Sequence, residues 1–123
     1  MKEKFGLFLL NKRIEHNYSL REFSRIIGIS PEYLSKIENG LRSAPSEDIL
    51  YRISIKLGLN KEEKEQLYDL AAQSKSNLSL AYDLIKYIHE NEMVHKTLRI
   101  ANRYKLSNNE WIEILKFIRD NFT

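Results

Sequence analysis

The architecture of this chain can be worked out from residues 19–40, which run Ser19-Leu20-Arg21-Glu22-Phe23-Ser24-Arg25-Ile26-Ile27-Gly28-Ile29-Ser30-Pro31-Glu32-Tyr33-Leu34-Ser35-Lys36-Ile37-Glu38-Asn39-Gly40. Ser19 with Glu22 three residues later has the spacing at which each side chain satisfies a free amide of the other at a helix start. Gly28 suits a left-handed helix end. Ser30 can cap a second helix, and Pro31 fits its first turn, where no amide partner is lost. Two short helices joined by Gly28-Ile29-Ser30 must cross steeply, so the second projects from the body of the protein. On the first of them Leu20, Phe23, Ile26 and Ile27 share a face. On the second, a step of about 100° per residue puts Leu34 and Ile37 together with Glu38 at their edge. The opposite face carries Glu32, Lys36 and Asn39, flanked by Ser35 and Tyr33. An inward apolar pair beneath an outward polar row is what a helix needs to sit on a core and enter a major groove.

Reading outward, the spacing predicts a first helix over about residues 3–16. After Asn39-Gly40 a loop from Leu41 to Pro45 leads to a fourth helix, capped by Ser46, with Glu47 and Asp48 favourably placed against its dipole. Gly58 closes that helix, and Asn60 with Glu63 opens a fifth. The polar run Gln73-Ser74-Lys75-Ser76-Asn77 reads as a linker. A sixth helix is expected from Leu78 to His89, a seventh from Glu92 to Tyr104, and an eighth from Ser107, with Glu110 three residues on, through Phe122. No stretch alternates long enough to propose a strand. The expectation is an all-α chain: a five-helix domain over residues 1–73 and a C-terminal helical region over 78–123.

Composition narrows the function. The chain has 123 residues, 42% hydrophobic and 30% charged, with no Cys. Disulfides and thiolate metal sites are thereby excluded. No apolar run approaches the ~18–20 residues that span a bilayer. The N-terminus lacks the apolar block and small-residue cleavage site of a signal peptide, so a cytoplasmic protein is expected. The net charge is +3, and it is uneven. Residues 1–45 carry eight Lys/Arg against five Glu (+3), residues 46–75 five against six (−1), and residues 76–123 seven against six (+1). The excess lies where a surface facing phosphates is wanted. An enzyme finds little support. His16, His89 and His95 are scattered, and His89-Glu90 with His95 has the wrong spacing for paired metal ligands on a helix. Ser30 has a capping task and no His beside it. There is no Gly-rich phosphate loop, and no metal or cofactor is implied.

The segment from Ser19 to Gly40 resembles the Cro/CI-type helix-turn-helix family of phage and bacterial regulators, also called the xenobiotic-response-element family. The turn Gly28-Ile29-Ser30 and the run Leu34-Ser35-Lys36-Ile37-Glu38-Asn39-Gly40 carry the resemblance. Pro45 and the segment from Ser46 to Leu57-Gly58-Leu59 match the next element, and the likeness covers about residues 4–72. It implies a lambda-repressor-like fold and sequence-specific binding of double-stranded DNA by a transcriptional regulator, with repression or autorepression favoured. It also implies an Arg–Glu pair, here Arg13 and Glu38. The family commonly has Gln where this chain has Leu20, and Ala where it has Ser24. Ser19, Arg21 or the helix's own amides would then take the phosphate contact of the second helix. Base-edge contact falls to Glu32, Tyr33, Ser35 and Lys36. Lys36 suits guanine O6/N7, with phosphate its other use. Glu32 suits a cytosine amino group or stabilises its own helix start. Tyr33 suits a thymine methyl or packs against the second helix. Asn39, Arg42 and Ser43 lie where the family's loop grips the backbone.

One such module contacts few bases, and the resemblance implies a homodimer on a palindromic operator with half-sites about 34 Å apart. The C-terminal region is the candidate for holding it. Trp111, Leu115, Ile118 and Phe122 form one stripe, and Ile112, Ile114 and Phe117 widen it. This stripe either packs into its own core or offers a dimer or partner surface through Trp111, Phe117, Ile118 and Phe122. The first helix poses a related question. Phe5 and Leu9 fit a core stripe, while Leu7, Leu10 and Ile14 form another that a folded-back helix or a second subunit would cover. A rival reading is an antitoxin or mobile-element protein whose C-terminal helices bind another protein, with the helix-turn-helix serving autoregulation.

Overall fold

The computed structural model describes residues 4–75 and 80–123. These form eight helices and no strand: α1 (Phe5–Glu15), α2 (Leu20–Ile27), α3 (Pro31–Glu38), α4 (Glu47–Lys56), α5 (Lys61–Lys75), α6 (Tyr82–Glu90), α7 (Glu92–Tyr104) and α8 (Asn108–Phe122). No described helix is long and apolar enough to cross a membrane. The chain divides into two compact units, the first ending at Lys86 and the second spanning Tyr87–Thr123.

Most helix starts are made as the sequence suggests. Ser19 Oγ accepts from the Glu22 amide at 3.0 Å, and the Ser19 amide donates to Glu22 Oε1 at 3.1 Å. Ser30 Oγ accepts from the Tyr33 amide at 3.1 Å. Asn60 and Glu63 exchange the same pair of bonds at 2.8 and 3.0 Å. Each such cap stabilises its helix by about 1 kcal/mol. Ser46 differs: it stands at the N-cap of α4 with extended backbone, but its side chain makes no capping bond. Glu47 and Asp48 in the first turn supply the favourable charge there.

The run beginning at Gln73 departs from its reading as a linker, because α5 continues through Lys75. Ser74 explains this. Its hydroxyl donates to the Ala71 carbonyl at 2.7 Å and accepts from the Ala44 amide at 2.9 Å, so a polar residue completes the helix and ties it to the loop after α3. Ser76, Asn77 and Leu78, where the rest of the linker and the start of the sixth helix were expected, lie outside the described residues, as does Glu3. Ala81 is buried in the core of the first unit, which therefore reaches past residue 73.

That core is built from Phe5, Phe8 and Leu9 of α1, Phe23 and Ile27 of α2, Leu34 and Ile37 of α3, Leu50, Ile53 and Leu57 around α4, and Leu67 and Leu70 of α5. α1 packs on α3 and α5, and α2 packs on α3 and α4. Burying one such side chain contributes about 1.5–3 kcal/mol. The closest approach is at Gly6. A Cβ there would stand 2.3 Å from the Ile37 carbonyl oxygen and 2.8 Å from that of Glu38. Glycine thus lets α1 lie directly on the last turn of α3. About two turns further along α1, Arg13 grips the same end. Its Nε donates to Glu38 Oε2 at 2.7 Å, its Nη2 to Glu38 Oε1 at 3.1 Å, and its Nη1 to the Tyr18 carbonyl at 2.9 Å. Both side chains are largely buried, at 13% and 6% exposure. The planar fork matches the carboxylate in a way a lysine cannot.

The second unit is sparsely buried. On α7 only Ala101 is buried, and on α8 no residue is. Lys105 ends α7 in left-handed conformation, and the Ser107 hydroxyl accepts from the Glu110 amide at 3.3 Å to start α8.

Two outcomes check the α1–α3 contact. Gly6→Ala forces a methyl onto backbone oxygens that cannot swing aside and should cost about 1–3 kcal/mol, read as a lower denaturant midpoint with unchanged slope. Glu38→Ala leaves the Arg13 guanidinium buried without its partner and should cost about 3–5 kcal/mol. A loss below about 1 kcal/mol would equate the pair with an exposed one.

Candidate nucleic-acid interface

α3 is held from beneath. Leu34 and Ile37 are 0% and 1% exposed. Glu38 is fixed by Arg13, and Ser30 and Pro31 set the helix start. With the rotation of the helix determined in this way, Glu32, Lys36 and Asn39 are exposed together along its outer side. Ser35 is half-buried on the flank, where its hydroxyl faces the Asn39 amide nitrogen at 3.4 Å. Tyr33 on the other flank is half-buried and packs against the core, so only part of it is offered outward.

The loop after α3 folds back onto it. The amides of Leu41 and Arg42 donate to the Lys36 carbonyl at 2.8 and 3.3 Å, and Gly40 turns the chain with φ of 78°. Arg42 and Ser43 are thereby exposed beside the last turn of α3, next to Lys36 and Asn39. The structure thus gathers Glu32, Lys36, Asn39, Arg42 and Ser43 along α3 and the loop bonded to its last turn.

The start of α2 is a separate edge. Ser19 and Arg21 are exposed there, although the Ser19 oxygen already accepts the Glu22 amide. Leu20 is partly buried against the core, which explains an apolar residue at this position. Ser24 is buried and donates to the Arg21 carbonyl at 2.9 Å, so its hydroxyl is satisfied within the helix.

Arg52 is a contributor the sequence reading passed over. It reaches from α4 to donate from Nη1 to the Ile27 carbonyl at 3.2 Å, closing the end of α2 just before the turn. A Cβ on Gly28 would stand 2.4 Å from that nitrogen, and Gly28 also has φ of +83°. Glycine at the turn therefore serves the backbone conformation and the Arg52 clamp together. Gly6 was likewise missed. The available signal was a glycine inside an otherwise helical apolar pattern.

In the second unit Trp111 is half-buried. Leu115, Ile118, Phe117 and Phe122 are exposed, the last two at 61% and 75%. The Phe117 and Phe122 rings meet edge to face at 6.3 Å.

Comparison with known proteins places these features. Residues 9–64 match the family model described as helix-turn-helix. The ImmF control region 10 kDa protein of Bacillus phage phi105 is 40% identical over 58 residues, which are 47% of this chain and 63% of that protein. The chain thus spans less than two thirds of the curated relative it matches. A solved chain of the SinR protein/SinI protein complex is 23% identical, with 94% of each chain covered and a TM-score of 0.47. The matched residues include α2, the Gly28 turn, α3 and α4 entire, so the helix-turn-helix match falls on the two helices and the turn described above.

Proposed function

We propose that this protein is a transcriptional regulator that binds a specific duplex DNA sequence by seating α3 in the major groove. The observation that carries the reading is the polar ridge of Glu32, Lys36 and Asn39, exposed above a helix whose opposite side is sealed by Leu34 and Ile37. Lys36 reads a guanine edge, Glu32 a cytosine amino group, and Ser35 and the exposed part of Tyr33 contribute at the flanks. Asn39, Arg42 and Ser43 hold the backbone of one strand, and Ser19 and Arg21 meet it from the start of α2. Similarity to a phage control-region protein supports a regulatory role, and the resemblance to Cro/CI-type regulators favours repression. In this reading the chain is a cytoplasmic binding protein and not an enzyme.

The protein acts as a homodimer on a palindromic site, with α8 as the main contact. A 15-residue helix with Ile112, Ile114, Leu115, Phe117, Ile118 and Phe122 all exposed is unstable alone in water, and a second copy would remove that surface from solvent. A different protein seated there is the alternative.

Selection of bound duplexes from a random pool at stated salt should return a two-fold symmetric motif with half-sites about 34 Å apart. Lys36→Ala should relax the preference at one position per half-site by about 1–3 kcal/mol. Equal weakening on every duplex would reassign Lys36 to phosphate. Sedimentation of the full chain should give a dimer that Phe117→Asp with Ile118→Asp converts to monomer. A monomeric wild type, or a stoichiometric foreign protein on α8, would overturn self-association.

A further inference from the structure

Lys4 stands immediately before α1. Its position follows from Gly6. Because residue 6 lies on the carbonyls of Ile37 and Glu38, the start of α1 is held against the end of α3. Lys4 accordingly lines one open cleft with Gly40, Leu41, Arg42 and Ser43, the loop that folds back onto Lys36. The remaining lining comes from α1, Ile37 and the end of α5, and contains no Asp or Glu. Lys12 pairs with Glu63 at 2.6 Å, Arg13 with Glu38 at 2.7 Å, and Lys96 with Glu92 at 3.2 Å. Lys4, Lys36 and Arg42 are exposed and have no ion pair among the described residues. Lys4 and Arg42 therefore bring two positive charges to one cleft at the end of α3, one from before α1 and one from the loop. Mutual repulsion at such a cluster is relieved by an anion, and the anion that the ridge of α3 brings to this place is the duplex backbone.

We propose that Lys4 is a backbone-contacting residue, extending the phosphate grip of Arg42 and Ser43 onto the start of α1. The proposal rests on the DNA-binding reading above. Lys4 fixes position and affinity on the duplex and carries no base preference. Gly6 acquires a second role in this account, since it sets the reach of Lys4 toward the strand held by the loop.

The test is the salt dependence of binding by the full chain, using the duplex recovered by selection. Lys4→Gln should lower the slope of log affinity against log salt by about 0.9, the loss of one phosphate contact. The affinity lost between 50 and 200 mM salt then becomes roughly 3.5-fold smaller than for the wild type. The selected motif should not change. Lys4→Arg should restore the slope. Lys56→Gln, which removes the same charge from the last turn of α4, should leave it unaltered. An unchanged slope in Lys4→Gln, or equal falls in Lys4→Gln and Lys56→Gln, would overturn the contact while leaving the DNA-binding reading intact. A wild-type chain with no salt-dependent duplex binding would overturn the reading itself. Circular dichroism on Lys4→Gln would confirm that the helices are retained.

Discussion

The contact between α1 and the last turn of α3 determines which way the outer side of α3 faces. A helix as short as α3, eight residues, has little stability of its own and takes its orientation from what it packs against. Leu34 and Ile37 define its inner side, but an apolar pair tolerates some rotation. Two features remove that freedom. The bare Cα of Gly6 brings two backbones together, and the Arg13 fork reaches both Glu38 oxygens and the Tyr18 carbonyl. With α3 fixed in rotation, Glu32, Lys36 and Asn39 have no direction available except outward, and the fold-back onto the Lys36 carbonyl places Arg42 beside them.

The ion pairs of the first unit differ in what they contribute. Arg13–Glu38 is buried and fully bonded, so it specifies geometry more than it adds net stability. Lys12–Glu63 ties α1 to the start of α5 in a more exposed setting. The Lys12 ammonium and the Asn60 amide hold the Glu63 carboxyl below the usual carboxylate range, and the bond from Glu63 holds Lys12 above the usual lysine range. The contribution from Glu63 is present above the ordinary glutamate range and is lost as pH falls through its lowered value. That from Lys12 is present below the ordinary lysine range and is lost as pH rises through its raised value. Across neutral pH the link between α1 and α5 is therefore constant.

Much of this was legible from local rules. Ser19 with Glu22, Gly28, Ser30 with Pro31, and Asn60 with Glu63 each act within four residues, and the local sequence announces them. The outward ridge followed from periodicity, and the Arg13–Glu38 pair from family resemblance. What escaped notice depends on residues distant in sequence. Gly6 matters because of Ile37 and Glu38, Arg52 because of Ile27, and Ser74 because of Ala44. The apparent linker at Gln73 failed for that reason: polarity alone reads as a loop, but Ser74 is polar because it serves two backbone groups. On α8 the spacing revealed an apolar stripe without revealing its occupant, since periodicity says what must be covered and nothing about by what.

In the proposed reading, the outer side of α3 with its following loop is the surface that meets DNA. The most direct test of that reading is a heteronuclear NMR titration of the full chain with its selected duplex, following backbone amides residue by residue. The largest changes should fall on Glu32, Ser35, Lys36, Asn39, Arg42 and Ser43, while the buried amides of Leu50, Ile53 and Leu67 stay near their free positions. Saturating binding that leaves those α3 and loop signals unmoved, with the changes gathered on α4 and α5 instead, would contradict it.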